Sequence, residues 1–211
     1  YGTYEYTING GGSWQSSGTF TGLGPGNYNV QMRDAANPGC IRVLYSSLPV
    51  TQPAMLTAMV TYSMVSCNGA DDGIITVSSP TGGYGNYEYS VNGGSSWQSS
   101  GTFGNLAPGT YDVRIHDADN PTCEIILNGA LVITEPAVLT AMIASTNVTC
   151  NGAADGTINI SFPGGGYGTY EYSINGTAWQ SSGLFQSLSP GTYSPMIRDR
   201  AHAACIIILN P

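Results

Sequence analysis

Apolar and polar residues alternate with a period of two along most of this chain. Ile75 and Val77 alternate with Thr76 and Ser78 until PTGG ends the run. Tyr87, Tyr89 and Val91 alternate with Glu88, Ser90 and Asn92. Successive strand side chains point to opposite faces, so these runs predict half-buried strands with the apolar set turned inward. No helical period is present. Asn92-Gly93-Gly94 predicts a hairpin turn, because Asn and Gly accept the positive φ it needs. Trp97, Ser99, Gly101 and Phe103 then form one face of a return strand. Pro108-Gly109 predicts a type II turn, and the strand that follows turns Tyr111, Val113 and Ile115 inward. Residues 124–127 and 130–134 predict two more short strands around Asn128-Gly129.

The pattern repeats. Tyr4, Tyr87 and Tyr170 recur every 83 residues, as do Cys67 and Cys150. Trp14, Trp97 and Trp179 are spaced 83 and 82, and so are Cys40, Cys123 and Cys205. The one missing residue falls at the turn tip, where GGGSW and GGSSW become GTAW; turn tips tolerate deletions. Tyr1 aligns with Tyr84 and Pro211 with Gly129. The expected organisation is therefore the C-terminal part of a repeat at 1–53, a complete repeat at 54–136, and a repeat lacking its last strand at 137–211, cut from a longer array. The connecting text, VTQPAMLTA and ITEPAVLTA, is short and apolar and carries a proline that keeps the preceding residue extended. That predicts stiff junctions rather than flexible linkers.

Seven short strands in about 83 residues, with regular turn signals, predict an all-β protein of tandem immunoglobulin-like antiparallel sandwiches. A propeller blade is shorter and seldom needs disulfides. Tyr28, Tyr111 and Tyr193 each follow a turn by a few residues and open a strand. Such a tyrosine corner donates its hydroxyl to backbone upstream. Asp34, Asp117 and Asp199 end the same strand in each copy, where a turn-capping role fits better than metal binding. Pro195 stands where Val30 and Val113 stand, inside a strand; proline belongs at an edge or a bulge, so either the strand has one there or the residue identity is in question.

Composition narrows the function. Only 9% of residues are charged, the net charge is -8, and the five basic residues are scattered arginines with no lysine. A phosphate-binding surface needs clustered basic groups, so neither nucleic acid nor an anionic membrane surface is an expected partner. No apolar run reaches bilayer length. Two cysteines per repeat predict one bridge each, Cys67 with Cys123 and Cys150 with Cys205, with Cys40 paired to an upstream residue. Such a loop closure contributes roughly 4 kcal/mol and implies an oxidising compartment. Free buried thiols and a metal site are the alternatives. Calcium, with Asp71, Asp72, Asp117 and Asp119 as oxygen donors, is disfavoured because Asp71 becomes Ala154 and Asp119 aligns with Ala36 and Ala201. No cofactor is expected. The sequons at Asn147, Asn159 and Asn175 read as composition.

CNGADDGIITV and CNGAADGTINI, with GGYGNYEYSVNGGSSWQSSGTF, LAPGTYDVRIHDA and VITEPAVLTA in fixed order, resemble the SprB-type repeat of very large surface adhesins of gliding Bacteroidetes. The resemblance spans essentially the whole chain, with departures in SPMIRDRAHAAC of the third copy. It implies type IX secretion, display on the bacterial cell surface, and service in a mobile adhesive filament. It implies no catalytic residues.

Two readings of the repeated aromatics compete. In a structural spacer, Trp14, Trp97, Trp179, Tyr87 and Tyr89 are core, with the tryptophans largely buried near the Cys67–Cys123 bridge and its equivalents. In a multivalent carbohydrate-binding module, Trp97 or Tyr84 and their counterparts are exposed platforms for sugar faces. Further repeats, lateral copies through exposed edge strands, or surface polysaccharide are the expected partners. Neither His116 nor His202 recurs between copies, and an enzyme needs convergent groups in a pocket. None is expected here.

Overall fold

The computed structural model describes residues 2–209; Tyr1 and Pro211, the two ends of the repeat alignment, lie outside them. All regular structure among the described residues is strand. The first copy contributes β1 (Tyr4–Thr7), β2 (Gly26–Asp34) and β3 (Ile41–Val50). The middle copy contributes β4 (Thr57–Ser63), β5 (Gly73–Thr81), β6 (Tyr87–Ser90), β7 (Thr102–Leu106), β8 (Gly109–Asp117) and β9 (Asn120–Ile133). The third contributes β10 (Thr140–Thr146), β11 (Gly156–Gly164), β12 (Tyr170–Ser173), β13 (Leu184–Leu188), β14 (Met196–Asp199) and β15 (Ile206–Ile208).

The middle copy folds into two three-stranded antiparallel sheets, β4-β5-β7 and β6-β8-β9. Their facing sides close on one core of Ile75, Val77, Tyr89, Val113, Ile115 and Leu131, with Val65 and Ile133 at one end. The alternation explains this directly. Ile75 and Val77 come from one sheet and Tyr89, Val113 and Ile115 from the other, all on inward registers. Fully burying each of these side chains contributes about 1.5–3 kcal/mol. The third copy repeats the plan with β10-β11-β13 and β12-β14-β15 around Ile158, Ile160, Tyr172 and Ile197. In the first copy, β1-β2-β3 forms the single sheet equivalent to β6-β8-β9. The chain divides into two compact units, residues 1–54 and residues 55–211, so the middle and third copies share one unit.

Three expectations about the strands change. Residues 124–134 are not two strands: β9 runs unbroken through Asn128-Gly129. The register slips between Tyr111↔Leu131 and Val113↔Asn128, so the supposed turn is a bulge. The copy therefore has six strands rather than seven. Trp97 and Phe103 do not share a strand face either. Gln98 is bridged to Tyr89 in one sheet while Phe103 pairs with Ile75 in the other. The chain between them is bent by the Gln98 side-chain amide, which donates to the carbonyls of Ser100 (2.7 Å) and Thr102 (3.0 Å). Period two continues through this stretch in the sequence, yet the backbone crosses from sheet to sheet.

Pro195 also finds its reason. Register shifts flank Val113 and Val30 in the other copies, so the proline sits where a bulge already interrupts the ladder. It is buried, its carbonyl accepts from Leu209 at 2.8 Å, and β14 starts one residue later.

At the crossing point the Gly101 carbonyl accepts from Val77 at 2.7 Å. A Cβ on Gly101 would lie 2.1 Å from the Val77 carbonyl oxygen, and one on Gly183 would lie 1.9 Å from that of Ile160. Backbone must move to admit it. Gly101→Ala is expected to lower stability by about 3 kcal/mol, whereas Ser99→Ala, an exposed neighbour, changes it by about 0.5 kcal/mol or less. Urea denaturation of both variants checks this; equal midpoints would refute the close approach.

Candidate functional site

The repeated aromatic phrase divides between two sides of a sheet. Tyr89 and Tyr172 point into the core, each 6% exposed, and burial pushes their hydroxyls above the ordinary tyrosine value. Tyr87 is half-buried against the same core, and its hydroxyl donates to the Gly82 carbonyl at 2.7 Å. The intervening glutamate points outward, as alternation requires, and its direct cross-strand partner is a nitrogenous side chain in each copy: Glu5 with Arg33, Glu88 with His116, Glu171 with Arg198. The contacts are 2.7, 2.8 and 2.6 Å.

Each tryptophan covers that pair from outside. Trp14 lies 4.4 Å from the Arg33 guanidinium and Trp179 4.3 Å from that of Arg198. Trp97 stacks on the His116 ring at 3.9 Å. All three tryptophans are half-buried and none belongs to a core cluster. The expectation that they are largely buried beside a disulfide is therefore corrected. They stand on the outer face because the turn after Asn92 folds back over the sheet. In that turn the Ser90 hydroxyl accepts from the Asn92 and Gly94 amides, and Asn92 Oδ1 accepts from the Ser96 amide. In every copy a cross-strand pair of glutamate with a nitrogen base or cation carries an indole over its nitrogen-bearing member. Sequence reading misses it because Arg33 and Arg198 look like scattered charges and His116 looks like a histidine that does not recur.

Tyr28, Tyr111 and Tyr193 donate their hydroxyls to the carbonyls of Gly24, Ala107 and Ser189, four residues upstream, at 2.8, 2.7 and 2.8 Å. Asp117 and Asp199 are fully buried. Asp117 accepts from the amides of Asp119 and Asn120 in its own turn and from the Tyr84 amide. Asp199 does the same with Ala201, His202 and Tyr167. These are backbone caps. Among the described residues no group of three or more His, Cys, Asp or Glu side chains is placed to hold a metal ion.

The cysteines pair differently from the spacing expectation. Cys67 is bonded to Cys205 of the third copy, with Cα atoms 5.3 Å apart, while Cys40, Cys123 and Cys150 are exposed free thiols. The reason is the length of the sandwich. Cys67 sits in a loop at the linker end of the middle copy, where Val65, Asn68 and Gly69 contact Thr134, Pro136 and Glu135. Cys123 adjoins the opposite end of β8, beside the pairing of His116 with Glu124. The nine residues of β8 separate those ends by roughly 25 Å, beyond any disulfide. The loop carrying Cys67 is held by Asp72, which accepts from the Ser66 amide at 2.8 Å and from its hydroxyl. Asp155 holds Thr149 the same way, at 3.0 and 2.6 Å.

The bridge lies in a junction between copies. The Tyr167 hydroxyl donates to the Val65 carbonyl at 2.8 Å, and the Tyr167 ring packs on His202 at 4.4 Å. Its counterpart Tyr84 is 63% exposed. A groove of about 430 Å³ is lined by Ile143, Val148, Gly156, Ile158 and Tyr193. The equivalent residues of the middle copy surround Leu131 and Ile133. The groove thus corresponds to the position that the Leu131–Ile133 end of β9 fills in the middle copy.

A family model described as the SprB repeat matches residues 60–96 and 143–178. Both segments run from the first strand of a sandwich to the turn before or at the tryptophan. No curated protein and no solved structure matches the chain.

Two expectations follow from this geometry. Trp179→Ala removes a surface stack worth about 0.5–1 kcal/mol, whereas Tyr89→Ala opens the core and costs about 3–5 kcal/mol; thermal or urea unfolding of the two variants ranks them, and equal losses would put the tryptophan inside. The Ser66 hydroxyl, then its amide, hold Asp72 below the ordinary aspartate value of 3.8, and Thr149 does so for Asp155. A carboxylate lowered in the folded state stabilises its loop above the unfolded value and loses that contact as pH falls through the folded one. The amide resonances of Ser66 and Thr149 are expected to titrate with midpoints below 3.8; midpoints at or above it would contradict the clamps.

Proposed function

From the premise that this chain is built of SprB-type repeats, we propose that it is a stretch of a bacterial cell-surface adhesin in which each copy serves as a stiff, non-enzymatic spacer. SprB repeats are adhesin repeats rather than an enzyme family. The observation that carries the spacer reading is the junction: the middle and third copies fall in one compact unit, cross-linked through Cys67–Cys205. A spacer that transmits load needs copies that do not hinge, and a short apolar linker between bonded copies supplies that. Export by the type IX system, and use in gliding, belong to the same reading. So does the Ig-like character of the sandwich, supported by the tyrosine hydroxyl bonds and the two three-stranded sheets.

A second reading has one observation behind it. A half-exposed indole recurs on the outer face of the sheet in each copy, backed by a nitrogen-bearing side chain, and such an indole is a surface for the apolar faces of sugars. Further repeats are the partners in the first reading; polysaccharide is the partner in the second.

One preparation separates them. Antibodies raised against the chain are expected to label intact cells of its source without permeabilisation, and beads coated with the chain to show no saturable binding to surface polysaccharide. Labelling only after permeabilisation would overturn the surface placement. Saturable binding lost in Trp14→Ala, Trp97→Ala and Trp179→Ala together would replace the spacer by the carbohydrate module.

A further inference from the structure

The three free thiols occupy positions already seen bonded. Cys150 stands 83 residues after Cys67, at the same point of the same loop, and that loop is clamped by Asp155 as the first is by Asp72. Cys123 stands 82 residues before Cys205, and Cys40 a further 83 before Cys123. Cys123 and Cys150 are both exposed. A second feature marks the same faces. Tyr167, which leads into the strand region of the third copy, bonds the carbonyl of Val65 beside Cys67. Tyr84 presents the same side chain on the middle copy, held by its amide to Asp117 as Tyr167 is to Asp199, and it is exposed to solvent.

We infer that the Cys67–Cys205 bond is one instance of a periodic staple, in which the first cysteine of each copy bonds the second cysteine of the next. Cys123 and Tyr84 are then the receiving face for a preceding copy, and Cys150 with Val148 the donating face for a following one. The partner of each face is another copy of this same repeat. The inference rests on the junction geometry alone and goes beyond the adhesin reading, which stands or falls separately. Each staple forms when two thiols lose two protons and two electrons to a small disulfide such as oxidised glutathione, which leaves as two thiols.

The bond in hand separates its cysteines by 138 residues. Repeats are about 83 residues apart, so consecutive staples overlap. That overlap is what distinguishes this scheme from one bridge per copy, and it is countable.

The test titrates free thiols in denaturant after oxidative refolding in a glutathione buffer. It compares this chain with one lengthened by a second successive copy of residues 54–136, which raises five cysteines to seven. The periodic staple leaves three free thiols in both. One free thiol in both would mean bridges within each copy, and the inference would fall. Three in this chain but five in the longer one would make Cys67–Cys205 a peculiarity of one junction, which also overturns it. Tryptic mapping without reduction gives an independent readout on this chain. Cleavage after Arg42, Arg114, Arg198 and Arg200 is expected to leave the Cys67 peptide joined to the Cys205 peptide alone. Joining of the Cys67 peptide to the peptide that holds Cys123 and Cys150 would contradict it.

Discussion

A carboxylate sealed from water must be given donors by the chain around it, and Asp117 and Asp199 impose that condition on everything near the end of their strands. An uncompensated charge there would be prohibitive, so three backbone amides converge on each. Two come from the turn that leads into the next strand, and the third comes from Tyr84 or Tyr167, more than thirty residues earlier. The approach is so close that Gly83 and Gly166 carry positive φ, and a Cβ on either would meet the carboxylate at 2.5 or 2.7 Å. One side chain thereby places a turn, a loop and the tyrosine that touches the neighbouring copy. Junction geometry is inherited from the interior of the sandwich.

Much of the interior was legible because period-two alternation is a direct record of which face is buried. Ile75, Val77, Tyr89, Val113 and Ile115 all lie where alternation places them. The aspartate at the end of the strand was readable as a cap because it recurs next to turn residues. The tryptophans were not readable in the same way. Alternation runs on through Gln98 to Gly101, but Gln98 turns its amide on its own backbone and bends the chain out of the sheet, and no periodicity reports a side-chain clamp. Nor could spacing separate the outward stack from a core: an indole over an arginine and an indole among isoleucines have the same period.

The cysteines show a different limit. Separations of 56 within a copy and 138 between copies differ by one repeat less a residue, so a repeating sequence offers both pairings with equal regularity. Only the length of β8 discriminates, by putting the two cysteines of a copy at opposite ends. Tyr84 was ambiguous for a related reason. An exposed aromatic on a glycine-rich loop looks like a ligand platform until its counterpart is seen against a neighbour, and that contact is made by residues a hundred positions away. What a repeat does at its boundary is not written within the repeat.

The bond between Cys67 and Cys205 makes residues 67–205 a covalent ring. Cutting a single peptide bond anywhere on that ring opens it without dividing the molecule. The linker at Thr134 and Glu135, exposed to solvent and otherwise the obvious place for a protease to sever one copy from the next, lies within it. A bridge closed inside each copy would have left that segment as the only thread. The bonded copies gain from this a tolerance of nicks that depends on connectivity rather than on stability.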